Sequence, residues 1–288
     1  HYTQGNLNNQ IGVPLTLLQI TRAHEMAIVE MGASHPGDIK ELVDIAEPNY
    51  GLITNVGRAH LEGFGSFEGV QRTKQELYDY LVAHNGIIFR NADNPYLAEM
   101  ENQAKQCYTT LHNTTQLYTT GSMPSGTHLV GEYNAENVSA AICVGRHFGI
   151  SCEQALEAIR QYVPTNNRSQ AMQTACNQLI VDAYNANPTS MQAAINAFKG
   201  DTYILGAMGE LGEYSHLEHQ NIVNMLAERK ADTVFLVGEE YLQTTSPYPV
   251  YEKVEQLYEY LVANPLKGKN ILLKGSRSTR MEKLLDVL

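Results

Sequence analysis

No apolar run in the sequence approaches the roughly 20 residues that a membrane-spanning helix needs, and the mean hydropathy is −0.29. A chain inserted in a membrane is therefore not expected. The N-terminus, His1-Tyr2-Thr3-Gln4-Gly5, has neither the basic nor the apolar region of a signal peptide. It also lacks a starting Met, so the expectation is a chain that begins inside a longer one. Basic residues are in the minority: 20 Lys and Arg stand against 31 Asp and Glu, a net charge of −11. Binders of nucleic acid or of anionic membranes present a basic face, so neither is expected here. An anionic substrate would need a local basic cluster working against the global field. The four cysteines, Cys107, Cys143, Cys152 and Cys176, form no C-x-x-C pair. They read as free buried thiols of a reducing, cytoplasmic compartment. The pattern G-x-x-x-x-G-K-[ST] is missing, so the sequence contains no Walker phosphate loop. Internal repeats and low-complexity tracts are missing too.

What is present is a recurring alternation. Short apolar runs at Met26–Val29, Gly51–Thr54, Gly86–Phe89, Leu179–Val181, Thr202–Leu205, Thr233–Val237 and Asn270–Leu273 suit strands buried on both faces. Helical patterns separate them. Pro36 fits the first position of a helix that must end by Glu47-Pro48. Ser151-x-x-Gln154 reads as a capping box. Asn187-Pro188 opens a helix that stops at Gly200. The fold class is therefore α/β with a mostly parallel sheet, and 288 residues suit two domains. The turn-forming stretch Pro164-Thr165-Asn166-Asn167 predicts a boundary, giving domains 1–164 and 165–288. Cys107–Gly126, rich in Thr, Ser and Asn, reads as a meander or loop excursion.

Ligands of parallel α/β sheets bind beyond the carboxyl ends of the strands. Those ends carry Glu30; Asn55, His60 and Glu62; Asp182, Tyr184, Asn185 and Asn187; Gly206 to Gly212; and Lys274 to Arg277. Carboxylates and an imidazole at such ends suit a hard divalent cation with positions open for phosphate oxygens, although each alone suits a solvated or capping group. From Phe67 to Ala83 a helical stripe runs Val70, Lys74, Leu77, Leu81. A lysine there either snorkels outward along its stem or is held inward, where desolvation favours the neutral amine. Gly206-x-x-Gly209-x-x-Gly212 has the wrong spacing for a dinucleotide fingerprint and reads as a tight turn. His216 and His219, three apart with no acidic cluster nearby, read as an exposed helix face rather than a metal pair.

Several ordered motifs resemble those of the Mur ligases. They are Gly5-Asn6-Leu7-Asn8-Asn9-Gln10-Ile11-Gly12, Val29-Glu30-Met31-Gly32, Ile53-Thr54-Asn55-Val56-Gly57-x-Ala59-His60-Leu61-Glu62 and Lys74-x-Glu76. Gly131-x-x-Asn134-x-x-Asn137, Asp182-x-Tyr184-Asn185-Ala186-Asn187-Pro188 and Lys274-Gly275-Ser276-Arg277 continue the series almost to the end of the chain. The N-A-N-P and K-G-S-R elements resemble the members that join D-alanyl-D-alanine to a UDP-N-acetylmuramoyl-tripeptide in peptidoglycan precursor synthesis. The resemblance implies a central ATPase domain, here without its phosphate loop and truncated at its N-terminus, followed by a smaller Rossmann-like α/β domain. It implies an ATP-dependent amide ligase acting through an acyl phosphate, with this chain an inactive fragment of a cytoplasmic monomer.

By the same resemblance Glu30 and His60 are magnesium ligands, and Lys74 is a carbamylated lysine supporting a second magnesium. These three form the catalytic and metal set. Asn55, Asn134, Arg168, Asp182 and Tyr184 contact ATP. Asn6, Asn8, Asn9, Asn185, Asn187, Lys274 and Arg277 contact substrate. Two positions depart from the family pattern: Tyr133 stands where His is usual, and Asn167 where Gly precedes the phosphate-contacting Arg. The alternatives are a sibling ligase, of the diaminopimelate-adding or folylpolyglutamate type, and a non-catalytic binding module that kept the fold.

Overall fold

The computed structural model describes residues 1–57, 61–107, 114–129, 131, 134–164 and 168–288. Its contacts group into two compact units, one of residues 1–120 with 139–149 and one of residues 121–138 with 150–288. The 164/165 boundary read from the sequence differs from this division, and Thr165, Asn166 and Asn167 lie outside the described residues.

The first unit holds α1 (Gly12–Leu17), α2 (Asp38–Ala46), β1 (Tyr50–Leu52), α3 (Leu61–Phe64), α4 (Phe67–Ala83), β2 (Ile87–Asn91), α5 (Pro95–Cys107) and β3 (Thr114–Tyr118). Helix α6 (Asn134–His147) is shared between the units. The three strands form a parallel sheet in the order β1-β2-β3. Ser66 caps α4 by accepting the Gly69 N–H at 3.1 Å. The helix then buries Val70, Thr73, Tyr78, Leu81 and Val82; of the predicted stripe Val70 and Leu81 are fully buried, while Lys74 and Leu77 are half-buried. Helix α2 begins later than Pro36 suggested. Its N-cap is Gly37, and the Asp38 carboxylate accepts the N–H groups of Ser34 and His35, both at 2.8 Å. Between α5 and the sheet, the buried Glu101 carboxylate takes bonds from Arg90, Lys105 and Thr115. Burial opposes its ionisation, yet those bonds together hold its pKa below the ordinary carboxylate value.

Two readings of this region are corrected. Met26–Val29 forms no strand; Ile28 makes one parallel bridge with Tyr2 and is 67% exposed. The run is apolar, but its ladder partner extends no further than that bridge, and apolarity alone does not make a strand. Conversely, Thr114–Tyr118 is a strand and not a loop excursion, pairing with all five residues of β2. As an edge strand it buries only Tyr118, so β-branched Thr rather than apolar content carries its signal.

The second unit holds α7 (Cys152–Gln161), β4 (Gln170–Gln173), β5 (Gln178–Asp182), α8 (Pro188–Ala197), β6 (Thr202–Gly206), α9 (Ser215–Glu228), β7 (Thr233–Val237), α10 (Glu239–Leu242), β8 (Val250–Tyr251), α11 (Val254–Ala263) and β9 (Asn270–Lys274). Its sheet runs β4-β5-β9-β6-β7-β8, parallel except for β4. Capping boxes form at Ser151/Gln154 and at Asn187/Ser190, as their sequences imply. Residues alternate between two cores. Tyr203 and Leu205 pack with Met191, Ile195 and Ile222 on one face, while Ile204 joins Leu257, Leu261 and Met281 on the other. That is why the runs at β6, β7 and β9 are apolar without alternation.

Candidate active site

The parallel register sets Asp182, the last residue of β5, beside Lys274, the last of β9. Lys274 is 1% exposed, and its ammonium donates to the Asp182 Oδ2 at 2.5 Å and to the Asn185 carbonyl at 3.3 Å. The other Asp182 oxygen accepts the Ser169 N–H at 3.2 Å. Both carboxylate oxygens are thus engaged within the protein. Just beyond β5, the Tyr184 ring lies under the guanidinium of Arg168, at 4.1 Å from carbon to ring centroid. Arg277, past the end of β9, approaches the same ring at 5.7 Å. Both arginines are exposed and Tyr184 is half-buried. One aromatic surface with two solvent-facing forks is a local positive site on an acidic molecule, suited to phosphate or carboxylate.

Asn185 and Asn187 follow on the same turn. The Asn185 side chain accepts the Ala186 N–H at 2.8 Å. Asn187 accepts the Ser190 N–H at 2.9 Å and so caps α8; helix initiation already occupies its side-chain oxygen. Asn134, the first residue of α6, is buried and accepts from the Asn137 amide at 3.3 Å. Tyr133 and Asn167 lie outside the described residues.

In the first unit, Lys74 sits half-buried on α4 and donates to the Asn55 carbonyl at 2.6 Å. Burial pushes its pKa down from the ordinary lysine value. Glu76, two residues on, points elsewhere: its carboxylate accepts the N–H groups of Gly37 at 3.0 Å and Lys40 at 2.7 Å. It therefore ties α4 to the start of α2, where a carboxylate is favoured. Glu30 is exposed and accepts from the Asn8 amide at 3.1 Å. Asn8 approaches so closely that a Cβ at Gly32 would stand 2.8 Å from its amide nitrogen, so a larger residue there would push the Asn8 side chain aside. Asn9 accepts the N–H groups of Ile11 and Gly12 and starts α1. Asn6 is exposed, its carbonyl accepting the Asn8 N–H at 2.9 Å. His60 lies outside the described residues.

Among the described residues, no group of three or more His, Cys, Asp or Glu gathers to hold a metal ion. The donor chemistry nonetheless fits magnesium in part, because Glu30 offers a hard carboxylate oxygen. Lys74 offers none as an ammonium and two as a carbamate. Two further readings are corrected. His216 is exposed as expected, but His219 is fully buried. The cysteines are free, yet Cys107, Cys152 and Cys176 are exposed and Cys143 is intermediate. The sequence reading also missed Ser169. It is buried, adopts a left-handed φ of 49°, and no periodic pattern marks it.

Comparison with known proteins follows the same division. The family model of the Mur ligase middle domain matches residues 1–119, and that of the Mur ligase, glutamate ligase domain matches residues 167–277. The UDP-N-acetylmuramoyl-tripeptide--D-alanyl-D-alanine ligase of Bacillus subtilis is 33% identical over 100% of this chain and 69% of its own length. A crystal structure of MurF from Acinetobacter baumannii is similar with a TM-score of 0.81 at 28% identity, covering 99% of this chain and 69% of that one. The MurF ligase of Thermotoga maritima in complex with ADP gives a TM-score of 0.83 at 25% identity, covering 100% of this chain and 72% of that one.

Proposed function

The chain belongs to the Mur ligase family, and from that premise we propose that it takes part in the ATP-dependent joining of D-alanyl-D-alanine to a UDP-N-acetylmuramoyl-tripeptide. The reaction supplies peptidoglycan precursors, and with them cell-wall growth, shape and division. ATP and UDP-linked sugars are pools of the cytoplasm, which puts the reaction there. The observation that carries the proposal is the pairing of the N-A-N-P and K-G-S-R turns at the ends of β5 and β9. Their Asp182–Lys274 pair, half-buried Tyr184 and exposed Arg277 make one local site from the two segments that resemble the D-alanyl-D-alanine-adding members.

In the reaction the terminal carboxylate oxygen of the tripeptide attacks the γ-phosphorus of ATP, and ADP leaves. The dipeptide amine then attacks the acyl carbon, phosphate departs with the electron pair of the C–O bond, and the amine proton passes to solvent or a base. Most of the protein's contribution is positioning and charge neutralisation. In the second unit Arg168 and Tyr184 receive the nucleotide with Asn134, and Asp182 orients it; Asn55 is a nucleotide contact in the first unit by the family resemblance alone. Arg277, with Lys274 beneath, receives the carboxylate of the incoming dipeptide beside Asn185 and Asn187. Asn6, Asn8 and Asn9 line the substrate side of the first unit.

Magnesium would be held by Glu30, His60 and carbamylated Lys74, and would neutralise phosphate charge. The Lys74 amine nitrogen bonds to the carbon of carbon dioxide and releases a proton. The carbamate keeps one N–H for the Asn55 carbonyl and presents two oxygens.

The acceptor tests this reading. With the complete gene product, ATP and a UDP-N-acetylmuramoyl-tripeptide, mass spectrometry should show product with D-alanyl-D-alanine. Neither diaminopimelate with the dipeptide precursor nor glutamate with a folate should give product. Product from diaminopimelate or glutamate instead would identify a sibling ligase, and no product with any acceptor would leave a binding module.

A further inference from the structure

His219, on α9, is 0% exposed and has both ring nitrogens engaged. Nδ1 donates to the Ser215 carbonyl at 2.7 Å, with the Ser215 hydroxyl at 3.3 Å. Nε2 accepts the backbone N–H of Met208 at 3.0 Å. A backbone N–H only donates and a carbonyl only accepts, so these partners fix a single neutral tautomer. Met208 belongs to the turn that leaves β6. The preceding residue ties that turn to both neighbouring strand ends. The Ala207 N–H donates to the Val237 carbonyl at 2.7 Å, and the Ala207 carbonyl accepts the Ser276 N–H at 3.1 Å. The backbones run so close that a Cβ on Gly275 would stand 3.0 Å from the Gly206 Cα. Ser276 lies between Lys274 and Arg277, so the hydrogen-bonded path from His219 ends at the two cations of the candidate site.

We infer that His219 is a positioning residue for this site, holding the β6 turn and through it the Lys274–Arg277 turn, and that it does so only as the neutral imidazole. The inference rests on the reading of the Lys274–Arg277 turn as a substrate contact. A protonated ring would turn an Nε2–H toward the Met208 N–H, donor against donor. The charged groups around the ring are Glu218 and His216 on its own helix and Glu240 on α10. Tyr241 of α10 packs edge-on at 4.7 Å. Its hydroxyl is buried without a hydrogen-bond partner among the described residues.

Burial lowers the His219 pKa, and this outweighs the Ser215 bond, Glu240 and Glu218, which raise it. The unfolded chain therefore binds the proton more readily than the folded one. The stabilisation is complete above the unfolded histidine value of about 6.5 and is lost as pH falls through the lower folded value.

Glutamine tests this directly. Its amide oxygen lies as many bonds from Cα as Nε2 does, so His219→Gln keeps an acceptor for Met208 and cannot titrate. His219→Leu removes the acceptor. In the complete gene product, amide hydrogen exchange of residues 206–208 and 274–277, corrected for intrinsic rates, should quicken in the parent between about pH 7.5 and about pH 5.5. The same amides should stay level across that range in His219→Gln. His219→Leu should exchange rapidly in both turns at neutral pH. It should also raise KM for D-alanyl-D-alanine about tenfold with kcat less affected, as loss of one positioning hydrogen bond would. The inference is overturned if His219→Gln keeps the parent's pH response, or if His219→Leu loosens 206–208 and leaves 274–277 and KM unchanged. Arg277→Ala separates the two readings. If it leaves KM for the dipeptide unchanged while His219→Leu still loosens both turns, the substrate assignment of the turn fails and the structural link to His219 stands.

Discussion

Lys74→Ala is expected to lower ligation by the complete gene product at least about a hundredfold, the scale on which loss of one preorganised charge-stabilising group acts. The lysine is half-buried on the inward stripe of α4, and its ammonium is held at the Asn55 carbonyl at 2.6 Å. Burial favours the neutral amine, the form that adds carbon dioxide. Glu76 does not neutralise it, because its carboxylate is spent on the N–H groups of Gly37 and Lys40. A short-chain carboxylic acid, entering the space left by the side chain, should restore part of the activity by returning an oxygen donor. Lys74→Ala with ligation near the parental rate would show that the lysine is a packed surface cation and nothing more. Folding separates these effects from collapse: the alanine variant should unfold within about 1 kcal/mol of the parent, since a half-buried lysine contributes mainly its stem.

The second large effect belongs to stability. Asp182→Ala leaves the ammonium of Lys274, 1% exposed, without its carboxylate. Removal of one partner of a buried pair costs about 3–5 kcal/mol, because the remaining charge stays desolvated. Lys274→Met should cost less, as Asp182 is 13% exposed and keeps the Ser169 N–H. The double change Asp182→Leu with Lys274→Met should recover most of the loss, since apolar replacements of a buried pair are often near neutral. Urea unfolding followed by circular dichroism measures all three. If Asp182→Ala costs under about 1 kcal/mol, water reaches the pair and its charges are not desolvated.

What the sequence made legible follows from how local each signal is. The β6, β7 and β9 runs and the caps at Ser151 and Asn187 involve residues within one element, and each formed as its pattern implies; the α4 stripe formed in part, with Val70 and Leu81 buried and Lys74 and Leu77 half-buried. Met26–Val29 looked like a strand because it is apolar, but a strand needs a partner of its own length, which no window of sequence reveals. The Thr114–Tyr118 strand was hidden for the opposite reason: its pairing is backbone to backbone, and only Tyr118 of its side chains is buried. His219 read as surface because helical spacing alone does not say which face the strands cover. The Asp182–Lys274 pair spans 92 residues. Composition could not find it, and the motifs named its members without showing that they neutralise each other.

In the proposed reaction a carboxylate is activated as an acyl phosphate before the amine attacks. The test supplies the complete gene product with a UDP-N-acetylmuramoyl-tripeptide whose terminal carboxylate carries oxygen-18 at both oxygens, together with ATP and D-alanyl-D-alanine. Mass spectrometry of the released inorganic phosphate then reads the path of that oxygen. One labelled oxygen is expected in the phosphate for each amide bond formed. Amide product accompanied by unlabelled phosphate would contradict it.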